Sequence, residues 1–222
     1  MPSSQAVIFD VDGVLVDSYH AHYQSWQLAC REHGLEMTLD QFVATFGRTS
    51  REIIVELWSD KFATPAKVAQ LDDRKEELFR DILRRDFPHM DGAADLIDNL
   101  QRSGFRLAVG SSGPPDNVSL VLDQLQRRSA FQGVVTALDV QKGKPDPQVF
   151  LLSARRVDVP PQRCVVIEDA PAGVAAAHAA GMKCIAIVST GRVRESLQAA
   201  DLTVASLREL DAPRIAAVLE RS

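Results

Sequence analysis

Disulfide chemistry has little to work with in this chain. Its 222 residues hold three cysteines, Cys30, Cys164 and Cys184, an odd number with no CxxC pair. This argues against a disulfide framework and against a structural zinc site. Cys164 and Cys184 each open an apolar run and read as core residues. No stretch approaches the roughly 20 apolar residues of a membrane span. The opening Met1-Pro2-Ser3-Ser4-Gln5 has no basic region and leads into no apolar stretch of signal length. Blocks of like charge are missing too. The net charge is −5, and the lack of a basic block argues against a nucleic-acid or acidic-membrane partner. It does not exclude an anionic small molecule, because a site can be locally positive on an acidic protein. The expectation is a reduced, cytoplasmic protein, monomeric, with neither nucleic acid nor membrane as partner.

Several familiar motifs fail by one residue. A phosphate-binding GxxxxGK[ST] loop would need Ser or Thr after Gly143-Lys144, and Pro145 stands there. A GxSxG elbow beginning at Gly110 would need glycine at Pro114. His20 and His22 are two apart on a predicted helix, so they diverge rather than chelate.

What is present is a set of short apolar runs rich in β-branched residues, at 6–9, 105–109, 133–136, 164–167 and 184–188, with a weaker one at 202–204. Near-continuous apolar character marks strands buried on both faces, as in a parallel sheet. Between them, residues 93–100, 117–125, 147–156 and 171–180 have helical spacing, with glycine stops at Gly104 and Gly181. The alternation predicts an α/β fold, a doubly wound, Rossmann-like parallel sheet. Residues 18–87 break the pattern. They read as helices at 20–33, 50–61 and 66–85 and contain no convincing strand. The expected organisation is an α/β core from 1–17 and 88–222 with an inserted helical domain over 18–87.

The chemistry-bearing residues fall at strand ends. The first run closes in Asp10-Val11-Asp12-Gly13. In extended chain, i and i+2 share a face, so the two carboxylates start on one side, at the edge where open α/β sheets place ligands. Repulsion between them requires protonation or a cation. Asp10 is then a candidate nucleophile and Asp12 a candidate general acid and base, against the alternative of a solvated acidic turn. The run at 164–167 enters Glu168-Asp169. So many converging carboxylates call for a metal, and oxygen-only ligands suit Mg²⁺. N-capping by Asp169 is the competing explanation, and it leaves Glu168 unexplained. Gly110-Ser111-Ser112-Gly113 follows the second run, where hydroxyls and amides at a strand-to-helix turn bind phosphate oxygens. Lys144 adds a cation for phosphate or for the carboxylates. Together these parts fit phosphoryl transfer.

The combination of Asp10-Val11-Asp12-Gly13-Val14-Leu15, Ser111, Lys144-Pro145 and Glu168-Asp169, in that order with a helical insert after the first motif, resembles the haloacid dehalogenase-like hydrolase superfamily, in its β-phosphoglucomutase-like branch. The resemblance covers nearly the whole chain. It implies a covalent phosphoryl intermediate on Asp10, with Asp12 protonating the leaving oxygen and then activating water. It also implies Mg²⁺ held by Asp10, Asp12 (through its carbonyl) and Asp169 with Glu168 nearby, and phosphoryl oxygens held by Ser111 and Lys144. Asp12 argues against a true dehalogenase, which resembles this pattern without the second aspartate. The insert resembles a cap that closes over small substrates. Arg48 or Arg51, in Gly47-Arg48-Thr49-Ser50-Arg51-Glu52, would then contact the substrate's far end, with ordinary helix-start chemistry as the alternative. His22 reads as structural and Trp58 as core of the insert. The function implied is a Mg²⁺-dependent phosphatase of a small phosphorylated metabolite such as a sugar phosphate. The alternatives are β-phosphoglucomutase, which Arg48 and Thr49 argue against, and more remotely a non-catalytic binding module.

Overall fold

The computed structural model describes residues 4–220. The chain forms two compact units, one running to Asp17 and resuming at His89, the other comprising Ser18–Pro88. The strands are β1 (Ala6–Phe9), β2 (Arg106–Gly110), β3 (Gly133–Val135), β4 (Cys164–Glu168), β5 (Lys183–Ile187) and β6 (Leu202–Val204). The helices of the insert are α1 (Tyr19–Glu32), α2 (Leu39–Thr45), α3 (Ser50–Trp58) and α4 (Pro65–Arg85). Those of the first unit are α5 (Ala93–Arg102), α6 (Pro115–Gln124), α7 (Gln148–Arg156), α8 (Pro171–Ala179) and α9 (Ala212–Leu219).

The strands make one sheet in the order β3-β2-β1-β4-β5-β6, with each neighbouring pair parallel. The continuous apolar runs follow from this, because helices cover both faces and leave no wet side. Ala6, Ile8, Ala108 and Val166 pack with Phe150 and Ala154 of α7 and Val174 and Ala177 of α8. Alternation sends Val7, Phe9, Leu107, Val109, Val165 and Ile167 to the opposite face, where α5 meets β2 and α9 meets β4. Phe9 meets Phe131 edge-on, with ring centroids 5.9 Å apart. The strand order reverses between β1 and β4, which makes their carboxyl ends the switch point where such sheets hold ligands.

One glycine is required by local geometry. Gly92, just before α5, has φ +83°, and a Cβ there would stand 2.8 Å from the backbone nitrogen of Arg208. At the base of the insert, Val16 forms an antiparallel bridge with His89, so exit and return of the chain lie side by side in the first unit.

In the insert, α1 packs along α4. Trp26, Cys30, Phe42, Ile54 and Leu71 are buried in one cluster. Trp58 is partly buried against it, tilted against Trp26. Each later helix has a capped start: Thr38 with Gln41, Thr49 with Glu52, and Thr64 accepting from Lys67 N. Lys75 is buried, 2.8 Å from Glu76 Oε1 and 2.9 Å from His22 Nδ1, with its ammonium 5.6 Å over the Trp26 ring. The sequence reading has no counterpart for α2 or α9. Each spans barely two turns, too short for a 3.6-residue period to declare itself.

Phe150 is fully buried at the centre of the α7 face. Phe150→Ala is expected to lower the unfolding free energy by about 3–5 kcal/mol in urea titration.

Candidate active site

Parallel register brings the acidic strand ends together. Phe9 is level with Ile167 on one side and Val109 on the other. The next residue, Asp10, is therefore flanked by the end of β4 and the end of β2, and its N–H still donates to Ile167 O at 2.9 Å. The chain then turns sharply. Val11 O accepts from Leu15 N at 2.8 Å, and Gly13 takes φ +72°. A Cβ on Gly13 would overlap the carboxylate of Asp169, so glycine is what lets the two acidic loops approach. Gly173, in the first turn of α8, has the same role toward Glu168, whose side chain occupies the space a Cβ would need.

Asp10, Glu168 and Asp169 are all buried, and each offers a carboxylate oxygen within 4.8 Å of the others. Lys144, from the loop before α7, holds the cluster together. Its ammonium lies 2.7 Å from Asp10 Oδ1, pairs closely with Glu168 Oε1, and sits 4.9 Å over the Phe150 ring. The Lys144–Pro145 peptide bond is cis. Glu168 Oε2 accepts from the N–H groups of Asp169 and Ala170 at 2.7 and 2.8 Å. Both Glu168 oxygens are thus engaged, which makes this residue a brace for the lysine and the loop.

These surroundings shift the ionisation of the groups. Burial raises the Asp10 carboxyl well above its usual range. Lys144 pulls it back, and Glu168 and Asp169 push it further up. Asp169 is pushed up to about 6, by burial first and by Glu168 second, against the pull of Arg192 and Ser189. Burial works to discharge Lys144, but Asp10 and Glu168 outweigh it and keep the ammonium charged.

Ser111 follows β2. Its N–H donates to Val135 O and its Oγ accepts from Gly113 N, both at 3.0 Å. A Cβ on Gly113 would stand 3.3 Å from Ser111 Oγ and 3.8 Å from Asp12 Oδ2, so this turn lies beside both the hydroxyl and the second aspartate. Arg48 and Arg51 belong to the insert. There Arg48 pairs with Glu56 at 2.5 Å and Arg51 with Asp72 at 2.7 Å. Thr49 and Glu52 form the reciprocal cap of α3, the helix-start alternative raised by the sequence. His22 stacks on Phe79 with centroids 4.0 Å apart.

Sequence reasoning passed over the loop after β5. Ser189 Oγ donates to Asp169 Oδ2 at 2.7 Å, Arg192 Nε lies 3.3 Å from the same oxygen, and Thr190 Oγ1 donates to Asp17 Oδ2 at 2.7 Å. The available signal was position: Ser189-Thr190-Gly191-Arg192 is a polar turn directly after an apolar run, at the same sheet edge as the other motifs.

The buried oxygen cluster fits a hard divalent cation such as Mg²⁺: ligand atoms close together, all oxygen, with excess negative charge. The comparisons agree with a phosphoryl-transfer site. The family model for haloacid dehalogenase-like hydrolases matches residues 5–181. Validoxylamine A 7'-phosphate phosphatase of Streptomyces hygroscopicus subsp. limoneus is 32% identical over 215 residues, 95% of this chain and 98% of its own. Hexitol phosphatase A of Escherichia coli strain K12 is 32% identical over 206 residues, 91% of each chain. The crystal structure of β-phosphoglucomutase from Clostridium difficile superposes with a TM-score of 0.86 at 25% identity, covering 97% of both chains. The protein belongs to the haloacid dehalogenase-like hydrolases.

Proposed function

We propose that the protein is a Mg²⁺-dependent phosphatase of a small phosphorylated metabolite, a sugar phosphate or close analogue, working through a phosphoryl group carried on Asp10. The observation that carries this reading is the buried Asp10 carboxylate at the β1/β4 switch point, touching Lys144 and within ligand distance of Glu168 and Asp169. Two relatives at 32% identity that are phosphatases support the phosphatase reading.

In the proposed reaction, a carboxylate oxygen of Asp10 attacks phosphorus as the bond to the leaving oxygen breaks. Asp12 gives that oxygen its proton, so the alcohol departs neutral. Asp12, now ionised, takes a proton from water as the water oxygen attacks the same phosphorus. The Asp10–phosphorus bond then breaks, releasing inorganic phosphate and restoring both acids. Lys144 and Ser111 hold the phosphoryl oxygens. Lys144 also offsets part of the rise that burial imposes on the Asp10 carboxyl, favouring its ionised, nucleophilic form. Asp10 and Asp169, with the Asp12 carbonyl, would hold Mg²⁺, which supplies charge neutralisation between carboxylates and phosphate. The helical insert acts as the cap, choosing the substrate with side chains on α3 and its preceding turn, Arg48 and Arg51 included. The three cysteines are buried thiols, in keeping with a reduced cytoplasmic setting.

Phosphate release from a panel of sugar and polyol phosphates is expected with Mg²⁺ and to vanish with chelator. Asp10→Asn should reduce it by about a thousandfold or more without loss of folding. Wild-type turnover in that variant would remove the covalent step, and conversion of β-glucose 1-phosphate to glucose 6-phosphate without release would move the reading to the mutase.

Lys144→Ala leaves Asp10 and Glu168 facing each other with no counter-charge. A loss of about 3–5 kcal/mol in unfolding free energy is expected, together with loss of turnover. Chemical denaturation of the metal-free protein is the check.

The raised Asp169 carboxyl has a signed consequence for pH. A carboxyl titrating near 6 in the folded state and near 4 unfolded contributes stability below about pH 4, and this is lost as pH rises through 6. The metal-free protein should therefore lose melting temperature across that window. Mg²⁺ should restore more of it at pH 7.5 than at pH 5, as read by thermal shift.

A further inference from the structure

The loop after β5 presses an arginine onto a metal-site carboxylate that already has a hydrogen-bond donor. Asp169 Oδ2 accepts from Ser189 Oγ at 2.7 Å, which suffices to orient the carboxyl. Arg192 Nε stands 3.3 Å from that same oxygen, and its side chain is only 13% exposed. The loop is built to hold it there. Arg192 N donates to Ser189 O at 3.1 Å, Gly191 takes φ +81°, and Thr190 Oγ1 is tied to Asp17. What Arg192 adds beyond Ser189 is a full positive charge that no accessible pH removes.

That charge changes the balance of the cluster. Asp10, Glu168 and Asp169 bring three negative charges when ionised, and Lys144 returns one positive. With Arg192 the sum is −1, and a divalent cation turns it to +1. Without Arg192 the sum is −2, and the same cation only brings it to zero. A phosphoryl dianion meets an attractive loaded site in the first case and a neutral one in the second.

We propose that Arg192 is a charge-setting positioning residue, which weakens Mg²⁺ binding and strengthens binding of the phosphoryl dianion to the Mg²⁺-loaded site. The inference rests on the reading that Asp10 and Asp169 hold Mg²⁺. It predicts opposite shifts in two equilibria from one substitution, which a merely structural arginine does not produce.

The test is isothermal titration calorimetry on the metal-free protein with Mg²⁺, then with inorganic phosphate at saturating Mg²⁺, for wild type, Arg192→Gln and Arg192→Lys. Thermal melts would confirm that each variant is folded. In Arg192→Gln the Mg²⁺ dissociation constant should fall about tenfold, the scale of a Coulomb interaction in a water-like dielectric, while the phosphate dissociation constant rises several-fold. Arg192→Lys keeps the charge and should stay within about twofold of wild type in both. Weakening of both equilibria by Arg192→Gln, or no change in either one, overturns the role given to Arg192. No Mg²⁺ uptake by the wild type overturns the metal reading itself, and this inference with it.

Discussion

Three carboxylates buried within ligand distance of one another repel strongly, and one ammonium stands among them. Much else in the first unit follows from that arrangement. Parallel strands with matched register deliver Asp10 and Glu168 side by side, and two glycines, Gly13 and Gly173, remove the methyl groups that would keep the acids apart. Lys144 then bridges Asp10 and Glu168, while N–H groups of the following turn satisfy the second Glu168 oxygen. Burial and like charge raise the carboxyl pKa of Asp10 and of Asp169 and so oppose their ionisation, an electrostatic tension in the unloaded cluster that a cation relieves. The same crowding that makes the site expensive to fold gives it the close-set oxygen atoms that suit a small, hard, doubly charged ion.

Legibility in the sequence tracked the physics of each feature. Strands buried on both faces write themselves as unbroken apolar runs, so β1, β4 and β5 stood out, and acids closing such runs were conspicuous. Short amphipathic pieces did not, because α2 buries little more than Phe42 and Thr45 and has too few turns for a period. The partnership of Arg192 with Asp169 joins residues 23 apart through a turn whose own sequence is unremarkable. Only the sheet order, which places β5 beside β4, brings that turn to the site. Arg48 and Thr49 illustrate the reverse difficulty. Their neighbourhood reads equally well as recognition loop or helix start, and the structure fills the helix-start role with the Thr49–Glu52 cap.

The two units carry different kinds of polar burial. In the first, buried charge is gathered where strands end and is unbalanced toward the negative. In the insert, Lys75 is buried with Glu76, His22 and two aromatic rings, a nearly self-compensating set inside an apolar cluster. The first arrangement calls for a further cation, while the second has its counter-charge built in.

The bridge between Val16 and His89 has a bearing on how such a protein can vary. Because the 71-residue excursion from Ser18 to Pro88 leaves and re-enters at neighbouring points, the sheet experiences it only as a closed loop. The entropy of closing a loop grows slowly with its length, by about 0.6 kcal/mol per doubling. An insert rooted this way can lengthen, shorten or exchange its helices while β1 keeps its register and Asp10 its place. Change in the insert is thereby uncoupled from change at the strand ends.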